Sequence, residues 1–138
     1  MKKCIVAAVL FGCMACQASA VLASDSARSL SDQVLARTLD TNKVVRYVPP
    51  GYSVRSELLA ATSEIQQIVT KSRDLSEPRP ADMRLLRQKL ATLKILNGDL
   101  RKLATEKEDE ATVARAMAID ILIRKMAELT KRLEAAIS

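Results

Sequence analysis

Residues 54–75 read Val54-Arg55-Ser56-Glu57-Leu58-Leu59-Ala60-Ala61-Thr62-Ser63-Glu64-Ile65-Gln66-Gln67-Ile68-Val69-Thr70-Lys71-Ser72-Arg73-Asp74-Leu75. Their apolar or small positions, Val54, Leu58, Ala61, Ile65, Ile68, Ser72 and Leu75, advance by alternating steps of four and three. That spacing lays one continuous stripe along a helix. Met83, Leu86, Leu90, Leu93, Asn97 and Leu100 repeat the alternation, and Ile119, Leu122, Met126, Leu129, Leu133 and Ala136 do so again near the C-terminus. Three stripes of one kind imply helices packed side by side at shallow angles.

The punctuation between stripes agrees. Ser76-Glu77-Pro78-Arg79-Pro80 cannot continue a helix, because each proline lacks an amide proton and pushes the preceding residue out of the helical region. Asn97-Gly98 reads as a helix C-terminus, with Asp99 capping a short turn through Leu103 and Asn97 near solvent. Thr105-Glu106-Lys107-Glu108 has the form of a capping box, and its acids sit where a helix dipole is positive. The run lacks the alternating oxygen ligands and turn glycine of a calcium loop, so no metal is assigned to it. A shorter helix over about residues 26–40 carries Leu30, Val34, Leu35 and Leu39 on one face.

The expected fold is therefore all-α: an antiparallel helical bundle of three long helices with heptad-like apolar stripes, plus a shorter N-terminal helix. The helices fall at about 26–40, 53–75, 81–97 with a short turn at 99–104, and 106–137; an extended, proline-bearing linker covers 42–52. Residues 24–138 make a single domain.

The first 23 residues read as an export signal: basic Lys2 and Lys3, an apolar run from Ile5 to Gly12, then small residues ending Ala18-Ser19-Ala20 and Val21-Leu22-Ala23. Cleavage after Ala20 or Ala23 fits the small-x-small preference of signal peptidase, and Ala23 is favoured. A lipoprotein reading competes, because Gly12 precedes Cys13 and Leu10 lies three residues before it; lipid on Cys13 would anchor the chain to a membrane. A third reading leaves the segment as an uncut anchor, since about 17–25 apolar residues suffice to span a bilayer. The expected location is periplasmic or secreted, with a Cys13-anchored lipoprotein as the alternative.

All three cysteines (Cys4, Cys13, Cys16) lie in that segment, so cleavage leaves no thiol for a disulfide, and a chain of about 115 residues must rely on an apolar core. Loss of Lys2 and Lys3 lowers the net charge from +6 by two, leaving 20 basic against 16 acidic residues, the basic ones spread from Arg28 to Arg132. A dispersed pattern of that kind is a solvated surface with weak attraction to anionic envelope surfaces, and no nucleic-acid footprint.

Catalysis is constrained by absence. With no histidine and no mature cysteine, the usual neutral-pH base, the nucleophile pairs and the common zinc and haem ligands are missing. Gly51 and Gly98 are the only glycines beyond the signal, so no glycine-rich phosphate loop exists and no cofactor is expected. Stretches such as Arg84-Leu85-Leu86-Arg87-Gln88-Lys89 resemble, in architecture and residue types only, the exported all-helical chorismate mutases, which work with Arg, Lys, Glu and Gln on a helix bundle and need no metal. That resemblance implies a small metal-free enzyme with an Arg/Lys/Glu pocket as the alternative function. Small exported helical chaperones share the general plan, without a Leu-Thr-x-x-Gln repeat here.

The leading expectation is an exported helical interaction module: an adaptor, a chaperone or a subunit of a bacterial envelope assembly, whose partner is another envelope or secreted protein. Two surfaces are candidates. Tyr47, Pro49, Pro50 and Tyr52 surround an extended turn that either covers the end of the bundle or docks a partner by strand addition or ring stacking. Val113, Met117 and Ile121 lie off the main stripe of the last helix, where they would receive the first helix or a second subunit in a homodimer. Asp120 is placed to pair with Arg124 on the next turn.

Overall fold

A computed structural model describes residues 8–74 and 79–137, with side chains described from Ala27 onward except that of Asp74. Four helices pack against each other: α1 (Ala8–Arg46), α2 (Val54–Asp74), α3 (Pro80–Glu106) and α4 (Glu110–Ile137). Helix α1 packs on α2 and α4, and α3 packs on the same two helices. Among the described residues there is no strand, and no helix is long and apolar enough to cross a membrane.

The interior follows the alternation of fours and threes. On α3 the buried residues are Met83, Leu86, Leu90, Leu93, Asn97, Leu100 and Ala104, the predicted stripe extended by one turn. On α2 the predicted stripe is buried from Val54 to Ser72, joined by Thr62 and Val69; Leu75 lies outside the described residues. Helix α4 is seamed by Thr112, Ala116, Ile119, Ile123, Met126, Thr130 and Leu133, with Leu129 beside them. Predicted members Leu122 and Ala136 are only half-buried there.

Helix α1 departs most from the sequence reading. It does not stop near Asp40 but continues to Arg46, so Val44 and Val45 are helical where an extended linker was expected. Its buried seam is Ala27, Ser31, Val34, Thr38, Thr41 and Val45, continued past the end of the helix by Val48, with Leu30 alongside, while Leu39 is 41% exposed and Leu35 half-buried. The two threonines of this seam avoid a polar penalty because they bond their own helix, Thr38 Oγ1 donating to Val34 O and Thr41 Oγ1 to Arg37 O, both at 2.8 Å, whereas the buried Ser31 hydroxyl has no protein partner. Thr38 also reaches Met126 Sδ at 3.3 Å, tying α1 to α4. The continuous helix from Ala8 includes residues 8–23 of the expected export segment; residues 1–7 lie outside the described ones.

The expected break at Asn97-Gly98 is absent, and α3 runs through it to Glu106. Asn97 is 3% exposed, and its Nδ2 donates to Ala116 O at 2.8 Å, so a cross-helix bond and burial on both sides of Gly98 outweigh the glycine's helix cost of about 1 kcal/mol. Nothing lies within 4 Å of a Cβ built on Gly98, which is helical and exposed. Gly98→Ala should therefore stabilise the protein by about 0.5–1 kcal/mol in urea denaturation. No gain, or a loss, would mean that the chain uses a helix break there.

Pro80 opens α3 at its first turn, where a missing amide proton leaves no helical bond unmade, and Arg79 before it is extended at φ −89° and ψ 140°. Of the proline turn itself, Ser76, Glu77 and Pro78 lie outside the described residues. Surface ion pairs join α1 to α2 through Asp32 and Arg73, α2 to α3 through Glu64 and Lys89, and α3 to α4 through Arg87 and Glu134. Exposed pairs of this kind contribute little stability.

Candidate functional site

The α3–α4 connection explains how the α1–α2 turn is held. Helix α3 ends with Asp109 N–H donating to Ala104 O at 2.9 Å and Glu108 N–H to Thr105 O at 3.1 Å. These are the two bonds of a Schellman cap, and Glu108 takes the left-handed position at φ 56°, where glycine is usual. Asp109 then caps α4: its Oδ1 accepts from Thr112 N–H at 3.1 Å and its Oδ2 from Thr112 Oγ1 at 2.6 Å. Helix α4 thus starts at Glu110, not at Glu106, and the expected capping box does not form; Thr105 Oγ1 bonds Arg101 O instead. An Asp before Glu110-Ala111-Thr112 is itself an N-cap signal in the sequence, overlooked beside the stronger-looking Thr105 pattern.

The same Asp109 carboxylate accepts a 2.8 Å bond from the Tyr52 hydroxyl, and Lys107 Nζ sits 4.4 Å from the centre of the Tyr52 ring. The hydroxyl of Thr112, then that of Tyr52, then the Thr112 amide hold the Asp109 carboxyl below its ordinary pKa. Burial, reinforced by the Asp109 carboxylate, raises the Tyr52 phenol above its own.

A group whose folded-state pKa is depressed adds stability above its unfolded pKa, and that stability is lost as pH falls through the folded value. Asp109 should thus stabilise the chain above about pH 4 and cease to do so under more acid conditions. Urea midpoints measured from pH 6 to pH 2 should fall less steeply for Asp109→Asn, which retains an N-cap oxygen, than for the natural chain. Identical slopes would remove Asp109 from the linkage.

Tyr52 and Tyr47 therefore part company. Tyr52 is 5% exposed and its hydroxyl is engaged, so of the two readings of the turn this ring follows the one in which it covers the end of the bundle, and it is not available to dock a partner. Val48, buried beside it, and Tyr52 pin both ends of Pro49-Pro50-Gly51, and Tyr52 N–H closes the turn on Pro49 O at 3.2 Å. Arg55 Nη2 donates to Arg46 O at 3.2 Å and tethers the end of α1. Tyr47 is left 72% exposed, more than any other large apolar side chain described; Pro50 is exposed and Pro49 half-buried.

The second predicted surface stays open. Helix α1 docks on α4, but Met117 and Ile121 remain 48% and 49% exposed and Val113 is half-buried. Thr105, Glu108, Glu110, Val113, Ala114 and Met117 line a recess of about 440 Å³ there. A groove of about 480 Å³ opens farther along between α3 and α4, floored by Leu90, Ala91, Ile123 and Ala127. Arg87, Lys94 and Lys131 rim it, with Glu134 bonded to Arg87 at 3.2 Å. Sequence reasoning missed this groove, although Arg87 stood in the quoted basic stretch. Asp120 and Arg124 pair at 2.9 Å, as their spacing implied. Cys13 falls within α1, in the part whose side chains are not described.

Among the described residues, no Asp, Glu, Lys or Arg is buried, and no group of His, Cys, Asp and Glu is arranged to hold a metal ion. Fold and surface together define an all-helical protein of four packed helices with exposed apolar side chains on a turn and on one helix face. No protein family, curated protein or solved structure matches the chain.

Proposed function

We infer that the chain is an exported helical interaction module, an adaptor, chaperone or subunit of an envelope assembly, in which four antiparallel helices hold the α1–α2 turn rigidly toward a partner. The observation that carries this reading is Tyr47, 72% exposed on a turn whose flanks, Val48 and Tyr52, are buried. A rigid aromatic side chain loses little conformational freedom on binding, and a turn already fixed by the core adds little ordering cost. The partner is another envelope or secreted protein, reached after export by the N-terminal segment or from a membrane through lipid on Cys13.

Packing of each helix against two neighbours supports the bundle, and the short connection between α3 and α4 supports an antiparallel arrangement of that pair. The alternative, an enzyme with an Arg/Lys/Glu pocket inside the bundle, has less support, since Arg87, Lys94, Lys131 and Glu134 rim an open groove and no described Asp, Glu, Lys or Arg is fully buried.

The test is crosslinking in the native cells, with mass spectrometry of both the captured proteins and the mature N-terminus. A stoichiometric envelope partner captured by the natural chain should be lost with Tyr47→Ala while circular dichroism is unchanged. Undiminished capture by Tyr47→Ala would reject the turn as the docking point, and an N-terminus at Met1 in a cytoplasmic fraction would reject export.

A further inference from the structure

The two recesses beside α4 have opposite rims. At the N-terminal end, Glu108 and Glu110 border apolar Val113 and Met117; toward the C-terminal end, Arg87, Lys94 and Lys131 border the groove over Ala127. Among the described residues, neither Lys94 nor Lys131 has a salt bridge within the chain, and neither does Glu108 or Glu110. Unneutralised charge of both signs thus lies toward the two ends of α4, Glu110 and Lys131 on the helix itself with Glu108 and Lys94 beside it, and half-exposed Met117 and Ile121 lie between them.

The arrangement of these residues along α4 is regular. Val113, Met117, Asp120, Arg124, Ala127 and Lys131 advance by steps of four, three, four, three and four. This is a second heptad stripe, displaced by one residue from the buried seam that runs from Thr112 to Thr130. Half of its members, Val113, Met117 and Ala127, are apolar and the other half, Asp120, Arg124 and Lys131, are charged, and α1 and α3 leave it exposed at Met117, Arg124, Ala127 and Lys131.

We propose that a second copy of the chain covers this stripe, α4 against α4 in antiparallel orientation, about a two-fold axis near Leu122. Read in reverse, the stripe complements itself. Asp120 meets Arg124 of the other copy, Met117 lies over small Ala127 in the groove, and Val113 packs along the aliphatic stem of Lys131. Glu110 falls opposite Glu134 of the other copy, whose charge is already met there by Arg87, and one turn from its unpaired Lys131. A two-fold interface repeats each of these contacts, so one match in the sequence counts twice. The in-chain Asp120–Arg124 pair becomes half of a four-charge cluster at the centre. This surface is separate from Tyr47, and the proposal stands or falls apart from the partner-docking reading.

Sedimentation equilibrium of the full-length chain, purified as the cell processes it, tests the proposal with two charge variants. Asp120→Arg gathers four positive charges at the centre and Arg124→Asp four negative ones. The natural chain should be dimeric, each variant alone monomeric with unchanged helical circular dichroism, and their equimolar mixture dimeric again. Recovery on mixing requires both variants to be folded and assigns the contact to this stripe. A natural chain that stays monomeric as concentration rises would overturn the proposal in favour of another occupant, such as an anionic amphiphile or a different protein. Dimers persisting in either variant alone would overturn it in favour of another face.

Discussion

Leu58→Ala and Leu93→Ala should each lower the unfolding free energy by about 2–5 kcal/mol, measured by urea denaturation with circular dichroism. Both side chains are fully buried, one on α2 and one on α3, within a single cluster fed by all four helices. Truncation removes apolar contact and leaves a cavity that neighbours on rigid helices close only in part. A domain of this size has about 5–15 kcal/mol of stability in all, so either truncation should remove a large fraction of it. Ile95→Ala is the internal control, since that side chain is 67% exposed and its loss should shift stability by less than about 0.5 kcal/mol. Equal effects at positions 58, 93 and 95 would mean that the described packing does not exist in solution.

Asn97→Asp should cost about 3–5 kcal/mol at neutral pH, the range expected when a buried charge has no partner. The Asn97 Nδ2 donor faces the carbonyl of Ala116, and the residue's Oδ1 has no protein partner. Aspartate replaces the donor with a second acceptor and brings a charge to a site that is 3% exposed. Burial would raise the pKa of the introduced carboxyl above its unfolded value, so the loss is greatest above the folded pKa and shrinks as pH falls below it. Melting the variant at pH 7 and pH 4.5 checks the sign, because the deficit relative to the natural chain should be smaller at the lower pH. A cost below about 1 kcal/mol would place Asn97 in contact with water.

These two predictions rest on residues of unequal legibility. Leu58 and Leu93 could be placed in the interior from spacing alone, because a long apolar side chain at every third or fourth position has few alternatives to burial. Asn97 stood on the same stripe, yet Gly98 beside it carried the ordinary signature of a helix end. The local preference lost to a bond from another helix, which no window of sequence contains. The α1 seam was hidden for a related reason. Thr38 and Thr41 look like surface residues until their hydroxyls are seen bonded one turn back, while Leu39, the more apolar neighbour, faces outward.

The candidate surfaces divide along the same line. Val113, Met117 and Ile121 could be singled out because their spacing marks a second face on a helix already oriented by its main stripe. The two tyrosines could not be told apart in sequence, since each flanks Pro49-Pro50-Gly51 in equivalent chemistry. Asp109, 57 residues away along the chain, draws Tyr52 inward through its hydroxyl and leaves Tyr47 in solvent.

The sequence by itself determined that the chain is all-helical, that the apolar stripes of α2 and α3 turn inward, and that histidine chemistry is excluded, because helical periodicity and composition are properties of the chain read locally. The tertiary structure alone decided that α3 continues past Gly98, that hydroxyls line the α1 seam, that Tyr52 is locked while Tyr47 is displayed, and that oppositely charged recesses lie along one helix. Each of those outcomes depends on a contact between residues far apart in sequence, where packing and hydrogen bonding outweigh the fraction of a kilocalorie by which local preference chooses one conformation over another.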